Sequence, residues 1–339
     1  MDSHAVQGPT PDRIFATFNA HQQTAALKAA IELDIFTAIA DGQDTASALA
    51  GHAGASERGV RILCDFLTIM GFLSKDAQRY SLAPDSALFL SRHSPAYLGI
   101  SSRFLASPHM VNQFSDLAAV VRKGGTIAEK DGSLAPDHPM WIDFARSMVP
   151  LIIPAAEFIP RLLEAERGEP WKVLDIAAGH GMFGIMLAQH NKNVQIVALD
   201  WPNVLTVARE NARTAGLSDR YRTLEGSAFD LDFGSEYDVV LLTNFLHHFD
   251  IPTCENLLSR IHKHLADGGR VVTLEFVPDE DRVSPPIAAA FSMMMLGSTP
   301  AGDAYTFSQY QQMFESAGYS RTERHPIPNY PEEVLVSWK

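Results

Sequence analysis

The 339-residue sequence predicts an α/β protein in which a Rossmann-like, doubly wound parallel sheet follows a mostly helical, winged-helix-like N-terminal domain. Two observations predict this fold class. From Trp171 onward, short apolar runs alternate with helical segments, as in sheets that carry helices on both faces. The first strand and helix of this series are joined by Gly179-His180-Gly181-Met182-Phe183-Gly184, a G-x-G-x-x-G motif. Such a glycine-rich turn lets a ligand approach the backbone closely.

The N-terminal helices are marked by spacing and by capping residues. Asp44-Thr45 caps a short helix that reaches Ala50, and Ser56-Glu57-Arg58 begins a helix that covers residues 60–70. Earlier in the chain, apolar residues recur at helical spacing in two stretches: Ile14, Phe15 and Phe18, then Leu27, Ile31 and Ile35.

A hairpin follows these helices. Strand-like residues 72–73 and 79–82 flank a polar turn at 75–78, and the order helix, turn, helix, hairpin predicts a winged helix. Residues 1–110 hold eight Lys and Arg against ten Asp and Glu, whereas a DNA-reading module concentrates positive charge on its recognition helix. We therefore expect this domain to serve packing or dimerisation.

The remainder of the chain divides in two. Residues 111–165 resemble helical connectors broken by polar loops at 123–125 and at Asp131-Gly132-Ser133. We expect a dimerisation domain at 1–110, a connector at 111–165 that contributes to a substrate pocket, and the sheet domain at 166–339. The predicted strands of that domain cover 173–176, 194–199, 221–224, 237–242 and 270–276, and its predicted helices cover 182–189, 204–215 and 252–265.

Composition narrows the functional classes. The formal net charge of −13 argues against a nucleic-acid partner, because such proteins need a basic surface. The sequence shows no apolar run of membrane-spanning length and no signal-peptide pattern, and Cys64 and Cys254 lie too far apart to indicate a disulfide framework. We therefore expect a soluble, cytoplasmic protein. The histidines and cysteines form no cluster with metal-ligand spacing.

Two acids frame the glycine motif. Asp175 ends the apolar run before it, where a dinucleotide would place its pyrophosphate and a carboxylate would carry the wrong charge. The same carboxylate suits a ligand with an ammonium and a sulfonium, such as S-adenosylmethionine (SAM). Asp200 ends the second strand, where a carboxylate can accept both hydroxyls of a ribose, although Asp200 could also cap the next helix. Trp201 and Phe229 are candidates for the two faces of an adenine, and Phe229 fits core packing nearly as well.

The segment Val173-Leu174-Asp175-Ile176-Ala177-Ala178-Gly179-His180-Gly181 resembles the first motif of class I SAM-dependent methyltransferases. From about residue 15 onward the chain is similar to one branch of them: the small-molecule O-methyltransferases, which carry an N-terminal winged-helix dimerisation domain and a seven-stranded sheet. The resemblance implies SAM as methyl donor, S-adenosylhomocysteine as product and a homodimer. It places the cofactor against residues of four loops: Asp175, Ala177, Gly179, Gly181, Asp200, Trp201, Ser227, Ala228, Phe229 and Asn244.

The resemblance also implies a catalytic segment at Asn244-Phe245-Leu246-His247-His248-Phe249. His247 matches the general base of the family, because an imidazole can take the proton of a hydroxyl near neutral pH. Glu275, which ends the fifth strand, matches a carboxylate that orients this base. His248 stands where many relatives have an acid, and it is a candidate substrate contact.

The acceptor pocket is expected to be apolar and rich in methionine, which suits a flat aromatic acceptor. Its size should depend on a loop at 278–300. The candidate lining residues, besides His248, are Met148, Phe291, Met295 and Tyr305. Met293 and Met294 lie beside Met295, and consecutive positions cannot all face one pocket.

The chain departs from the pattern of the family at several positions. The second orienting glutamate of the family aligns with Ala304, beside Asp303. An acid of the third motif aligns with Ser227, and a lysine near the end of the fourth strand aligns with Thr243. These departures weaken base-assisted O-methylation more than they weaken SAM binding.

Three alternatives to O-methylation therefore stay open. The first is transfer of the methyl group to sulfur, nitrogen or carbon of a small molecule, for instance a thioether, which needs no general base. The second is a SAM-binding regulator or a catalyst that does not methylate. The third is an oxidoreductase, which would bind NAD instead of SAM.

Overall fold

The computed structural model describes residues 9–128 and 138–339, and the chain divides into two compact units between Ser107 and Pro108. The polar loop expected at Asp131-Gly132-Ser133 lies outside the described residues. Among the helices in the described ranges, none combines the length and the apolar character that crossing a membrane requires.

The first unit contains the helices and the hairpin that the sequence predicts. Thr45 and Ser56 cap the third and fourth helices, because their side-chain oxygens accept hydrogen bonds from the backbone N–H groups of Ala48 and Gly59. The elements in chain order are α1 (Asp12–Glu32), α2 (Ile35–Ala40), α3 (Ala46–Ala53), α4 (Glu57–Ile69), β1 (Leu73–Asp76), β2 (Arg79–Leu82), α5 (Pro84–Phe89) and α6 (Ser102–Leu105).

The hairpin is tighter than the sequence predicts. Strand β1 extends to Asp76 and pairs antiparallel with β2, so the turn consists of Ala77 and Gln78 alone. Ala77 has a positive φ of 51°, which lets two residues reverse the chain. The expected turn at 75–78 was therefore too long.

Helix α1 has a buried end and an exposed end. Ala30 and Ile31, in its last turns, belong to the core of the first unit. Ile14, Phe15 and Phe18, in its first turns, are 58%, 60% and 72% exposed. The apolar face that the spacing predicts is thus left exposed by the part of the chain that the structure describes.

The second unit contains the sheet. Its elements in chain order are α7 (Pro108–Asn112), α8 (Leu117–Lys123), α9 (Met140–Ser147), α10 (Val149–Leu162), β3 (Lys172–Ile176), α11 (Met182–His190), β4 (Gln195–Asp200), α12 (Pro202–Thr214), β5 (Tyr221–Glu225), β6 (Tyr237–Thr243), α13 (Ile251–His264), β7 (Leu265–Glu275), α14 (Pro286–Ser298), α15 (Phe307–Ser316), β8 (Arg321–Pro326) and β9 (Glu333–Trp338).

The seven strands of this sheet lie in the order β5-β4-β3-β6-β7-β9-β8. All neighbouring pairs from β5 to β7 are parallel, whereas β9 runs antiparallel to both β7 and β8. Residue patterns alone predicted the first five strands, and the last two followed only from the family resemblance. Apolar clusters cover both faces of the sheet.

The segment at 278–300 is mostly helical. We expected a loop there, but α14 covers Pro286–Ser298 because its run of alanine, methionine and leucine favours a helix. The wall that this segment forms is consequently a helix face, with the loop confined to the residues before it.

Candidate functional site

The glycine motif forms a tight turn between β3 and α11. Ala177, Gly179 and Gly181 have φ values of 53°, 57° and 75°, a region that glycine adopts without strain and alanine does not. A Cβ on Gly179 would meet no atom closer than 3.9 Å. The turn therefore presents an open backbone surface at the carboxyl end of β3, where ligands of doubly wound sheets bind.

Asp175 lies beneath this turn and is completely buried. Its Oδ2 accepts a hydrogen bond of 3.3 Å from the N–H of Gly184, while its Oδ1 has no partner among the described residues. A Cβ on Gly184 would lie only 3.0 Å from Oδ2, so the third glycine of the motif allows α11 to approach the acid. Burial raises the pKa of Asp175 to about 7.

Asp200 lies at the end of β4, adjacent to the glycine turn. Its Oδ2 accepts from the N–H of Gly179 at 2.8 Å, and its Oδ1 accepts from the N–H of Trp201 at 2.7 Å. Each oxygen keeps a lone pair for a further donor. Trp201 itself occupies the position before α12, so Asp200 does not cap that helix. Burial raises the pKa of Asp200 to about 6.

The loop after β5 brings Ser227, Ala228 and Phe229 to the same end of the sheet. Ser227 Oγ accepts from the N–H of Phe229 at 3.1 Å, and Ala228 is buried in the core. Arg260 of α13 donates to the carbonyl oxygens of Phe229 and Leu231, which holds the loop in place. The sequence alone did not point to Arg260.

Phe229 belongs to an aromatic group with Phe245 and Phe249. The ring centroid of Phe229 lies 6.3 Å from that of Phe245 and 4.9 Å from that of Phe249. Trp201 lies elsewhere, packed with Trp141 and Ile142 of α9 against a small apolar cluster. Of the two candidate adenine contacts, Phe229 therefore lies beside the catalytic segment and Trp201 lies against α9.

His247 and Glu275 form a buried pair at the ends of β6 and β7. The Nδ1 of His247 is hydrogen-bonded to Oε2 of Glu275. Oε1 accepts from the backbone N–H groups of Phe245, Leu246 and His247 at 3.1, 2.9 and 3.4 Å. Glu275 thus holds both the imidazole and the turn that carries it. Burial lowers the pKa of His247, so its imidazole is neutral at neutral pH.

Two aromatic neighbours flank this pair. Phe291 of α14 meets the His247 ring edge-on at a centroid distance of 4.9 Å. His248 is half-buried, with its ring 4.4 Å from that of His247 and 5.6 Å from that of Trp141. Burial, together with the neighbouring His247, holds the pKa of His248 well below its usual value.

The other expected pocket residues differ in burial. Met148 is half-buried at the junction of α9 and α10, and Met295 is buried in α14, whereas Met293 is 47% exposed. Tyr305 is buried, and its hydroxyl donates to the carbonyl oxygen of Phe249 at 2.5 Å. That hydrogen bond anchors the end of the catalytic segment.

The position of the second orienting acid is apolar. Ala304 is completely buried. Asp303 pairs instead with Arg282 at 3.0 Å, and its Oδ1 accepts from the N–H of Ala304. Asp303 therefore does not replace the missing glutamate.

Gly302, which begins a segment similar to the one after the substrate loop of the family, lies against the backbone of the turn that carries His247. A Cβ at Gly302 would lie 2.2 Å from the carbonyl oxygen of His247 and 2.8 Å from the carbonyl carbon of His248. Its own N–H donates to Thr299 Oγ1, at the end of α14. A glycine is required here because the two backbones touch.

Comparison with known proteins identifies relatives along the whole chain. A family model for the O-methyltransferase dimerisation domain matches residues 15–92, and a model for the O-methyltransferase domain matches residues 168–320. A 3-hydroxy-5-methyl-1-naphthoate 3-O-methyltransferase of Streptomyces sahachiroi is 28% identical over 312 residues, which are 90% of this chain and 89% of that protein.

Comparison with solved structures gives the same family. A Nostoc punctiforme protein described as an O-methyltransferase is 50% identical, with a TM-score of 0.95 over 98% of this chain and 100% of that one. Human N-acetylserotonin methyltransferase, solved in complex with SAM, is 21% identical, with a TM-score of 0.84 over 100% of this chain and 99% of that one. The fold is therefore shared across the full length.

Proposed function

Because this chain belongs to the O-methyltransferase family and uses SAM as its methyl donor, we propose that it methylates a hydroxyl of a small, flat aromatic molecule with His247 as the general base. The observation that carries this proposal is the buried His247–Glu275 pair. It lies at the end of β6, and β6 is the direct neighbour of the strand that carries the glycine turn.

The residues at the glycine turn fit a cationic, ribose-bearing cofactor. Two acids, Asp175 and Asp200, lie at this edge of the sheet, and Asp175 has an oxygen without a partner among the described residues. Asp200 has the free lone pairs that a ribose diol needs. We assign the adenine to the loop at Ser227–Phe229 and the remaining contacts to the glycine turn and Asn244. SAM supplies a methyl group activated by its sulfonium.

The acceptor hydroxyl is a weak nucleophile until it loses its proton. The neutral imidazole of His247 can take that proton at Nε2, provided that Nδ1 carries the ring hydrogen. Glu275 is arranged for this tautomer, since its Oε2 lies against Nδ1 as an acceptor. The same carboxylate stabilises the imidazolium that forms. The acceptor oxygen then bonds to the methyl group, the bond from that carbon to sulfur breaks, and S-adenosylhomocysteine leaves.

We assign the acceptor ring to the apolar side chains near the base. Phe291 flanks the His247 ring and stacks on Phe276 at a centroid distance of 4.0 Å, which makes it a rigid surface. The family resemblance adds Met148 and Met295 to the same pocket. Aromatic rings prefer such surfaces, and methionine adapts to their shape. We assign the neutral His248 to a polar group on the acceptor.

The test is methyl transfer from labelled SAM to a panel of phenols, indoles, amines and thioethers. His247→Ala should lower kcat for a phenol by about two to four orders of magnitude, as expected for a lost base. Glu275→Gln should also lower it strongly, because the amide N–H would face Nδ1 and force the wrong tautomer. His52→Ala, at an exposed position in α3, is the matched control and should leave kcat unchanged.

Two results would contradict the proposal. Methylation of a thioether, amine or carbon with most of the rate kept in His247→Ala would show that His247 is not a base. SAM binding without release of S-adenosylhomocysteine, over the whole panel, would favour a protein that does not methylate.

We also propose a cytoplasmic homodimer, with residues 1–110 for dimerisation, 111–165 for the acceptor pocket and 166–339 for the cofactor. The dimerisation match at residues 15–92 and the exposed Ile14, Phe15 and Phe18 of α1 support the homodimer. Light scattering at micromolar concentration should give the mass of a dimer, and Phe18→Asp should lower it. A monomer for the unchanged protein would contradict this part of the proposal.

A further inference from the structure

Tyr305 lies against the end of the turn that carries His247 and has no role in the mechanism above. It stands directly before Thr306, the residue that caps α15, and its ring belongs to an apolar cluster with residues of α13 and α15. Only 4% of Tyr305 is exposed. A side chain that lines an open pocket presents surface to it, so Tyr305 has little surface to offer an acceptor.

The hydroxyl of Tyr305 is committed to one backbone oxygen. It donates to the carbonyl oxygen of Phe249 at 2.5 Å, and a phenol has a single hydrogen to give. Burial raises the pKa of Tyr305 well above its usual value, so this hydroxyl is not a second base for the acceptor. The ring of Tyr310 meets the Tyr305 ring edge-on at a centroid distance of 5.8 Å and helps to hold it in place. The phenol therefore acts as a tether.

Phe249 joins the turn to α13. Its own N–H donates to the carbonyl oxygen of Leu246 at 3.1 Å and closes the turn, and the next residue, Asp250, caps α13. Among the described residues, the carbonyl oxygen of Phe249 is bonded to side chains alone: to Tyr305 and, with a longer contact of 3.8 Å, to the thiol of Cys254. The backbone at this junction consequently depends on Tyr305 for its position.

The two ends of the turn are thus held by different elements. At its start, Oε1 of Glu275, on β7, accepts three consecutive backbone N–H groups, the last of them from His247. At its end, Tyr305, beside α15, holds the carbonyl oxygen of Phe249. The imidazole of His247 lies between these two anchors, so a shift of Phe249 would move Nε2 even while Nδ1 stays bonded to Glu275.

We propose that Tyr305 is a positioning residue for methyl transfer, which holds the Phe249 carbonyl and thereby fixes the direction in which Nε2 of His247 faces the acceptor. The inference rests on the proposed function of His247 as base. It takes Tyr305 out of the expected acceptor pocket and gives a residue beside α15 an influence on the rate of the reaction, without contact with the acceptor or the cofactor.

The test compares Tyr305→Phe with Tyr319→Phe in the full-length enzyme, with kcat and KM measured for the phenol that the enzyme methylates. Each variant loses one buried phenol hydroxyl that donates to a backbone carbonyl oxygen, since Tyr319 donates to Leu258, in the middle of α13, at 3.1 Å. The two variants should therefore lose similar stability in denaturant unfolding. Tyr305→Phe should lower kcat by about tenfold, within the hundredfold that a displacement of about 1 Å costs, whereas Tyr319→Phe should stay within about twofold.

Two further readouts separate positioning from acceptor binding and from a merely structural role. KM for the acceptor should change by less than about twofold in Tyr305→Phe, because a residue that does not touch the acceptor does not contribute to its binding. In the double variant His247→Ala/Tyr305→Phe, the second change should cost no further activity, since a base that has been removed cannot be misplaced. A merely structural loss would lower the rate by the same factor in both backgrounds.

Three outcomes would overturn the inference. They are a kcat of Tyr305→Phe no lower than that of Tyr319→Phe, a loss confined to KM for the acceptor, and a loss that persists in the His247→Ala background. A His247→Ala variant that keeps its rate removes the proposed function and this inference together, whereas loss in His247→Ala without loss in Tyr305→Phe removes this inference only.

Discussion

Adding one methyl group at Gly302 should displace His247, the proposed base. The φ of Gly302 does not lie in the left-handed region, so alanine is acceptable to its backbone and the cost is purely steric. The new Cβ would lie 2.2 Å from the carbonyl oxygen of His247, 2.7 Å from Thr299 Oγ1 and 2.8 Å from the carbonyl carbon of His248. Two of these three atoms belong to the backbone and cannot rotate away.

The size of the effect follows from these distances. Restoring ordinary contact distances requires a shift of about 1 Å or more between Gly302 and the His247 carbonyl. Overpacking of this kind costs about 1–3 kcal/mol of stability, and a displacement of about 1 Å at a catalytic group costs about a hundredfold in rate. We therefore expect Gly302→Ala to lower kcat by about a hundredfold while the affinity for SAM changes little, because Gly302 touches none of the residues assigned to the cofactor.

The assay is kcat with a methylated phenol, together with the dissociation constant of SAM from calorimetry, which also shows that the variant is folded. Gly51→Ala is the control: a Cβ at Gly51, in α3, would meet no atom within 4 Å. That change should leave kcat unaltered and add about 0.5–1 kcal/mol of stability, as alanine does inside a helix. Unchanged kcat in Gly302→Ala would refute the steric argument.

Burial raises the pKa of Asp175 to about 7 and that of Glu332 to about 8, so the folded protein holds protons that the unfolded chain has released. Stability of the ligand-free protein should then fall from pH 7.5 to pH 8.5, where histidines are mostly neutral even in the unfolded chain and offset little of the loss. A flat or rising melting temperature over that range would contradict this. SAM is cationic at sulfur, so its binding at pH 6.5 should release about half a proton or more from Asp175, and binding of S-adenosylhomocysteine should release less. Calorimetry in buffers of different ionisation enthalpy measures both proton releases. Equal release by the two ligands would refute the assignment of Asp175 to the cofactor. Ala177→Gly should raise stability by about 0.5–1 kcal/mol in denaturant unfolding, because Ala177 has a positive φ of 53°; a loss would show that the turn is not strained. Arg282→Ala removes the hydrogen bonds to Asp303 and Gln309 that hold the loop before α14, so KM for the acceptor should rise. The free energy of unfolding should change by less than about 1 kcal/mol, because the Arg282–Asp303 pair is exposed. A larger change in the affinity for SAM than in KM would argue against this role.

Local patterns in the sequence were sufficient to place the glycine turn and its two acids in the fold. The glycine motif, the strand before it and the acid that ends the next strand lie within the 29 residues from Lys172 to Asp200, so their spacing determines where each falls on a strand, turn or helix. Asp200 indeed ends β4, and its carboxylate reaches the N–H of Gly179. The cap at Thr45 was predictable for the same reason.

The acceptor half depends on contacts that no local pattern encodes. Gly302, for instance, meets His247 across 55 positions of the chain. Asp303 is an example of a local pattern that misleads. Its position beside Ala304 suggested a replacement for the missing acid, but it pairs with Arg282, 21 positions away, and is not available for that role. The segment at 278–300, expected as a loop, forms α14 over Pro286–Ser298, as its run of alanine, methionine and leucine favours.

Three acids at the carboxyl ends of the strands differ in the number of backbone N–H groups that face them. Glu275 receives three N–H groups and is hydrogen-bonded to Nδ1 of His247, Asp200 receives two, and Asp175 receives one. Burial raises the pKa of all three carboxyls, that of Glu275 included, so the number of donors does not by itself decide which acid is ionised. The donors decide orientation instead, because each oxygen that accepts an N–H is held in place. The oxygen left without a partner among the described residues, Oδ1 of Asp175, is then the one most available to a ligand.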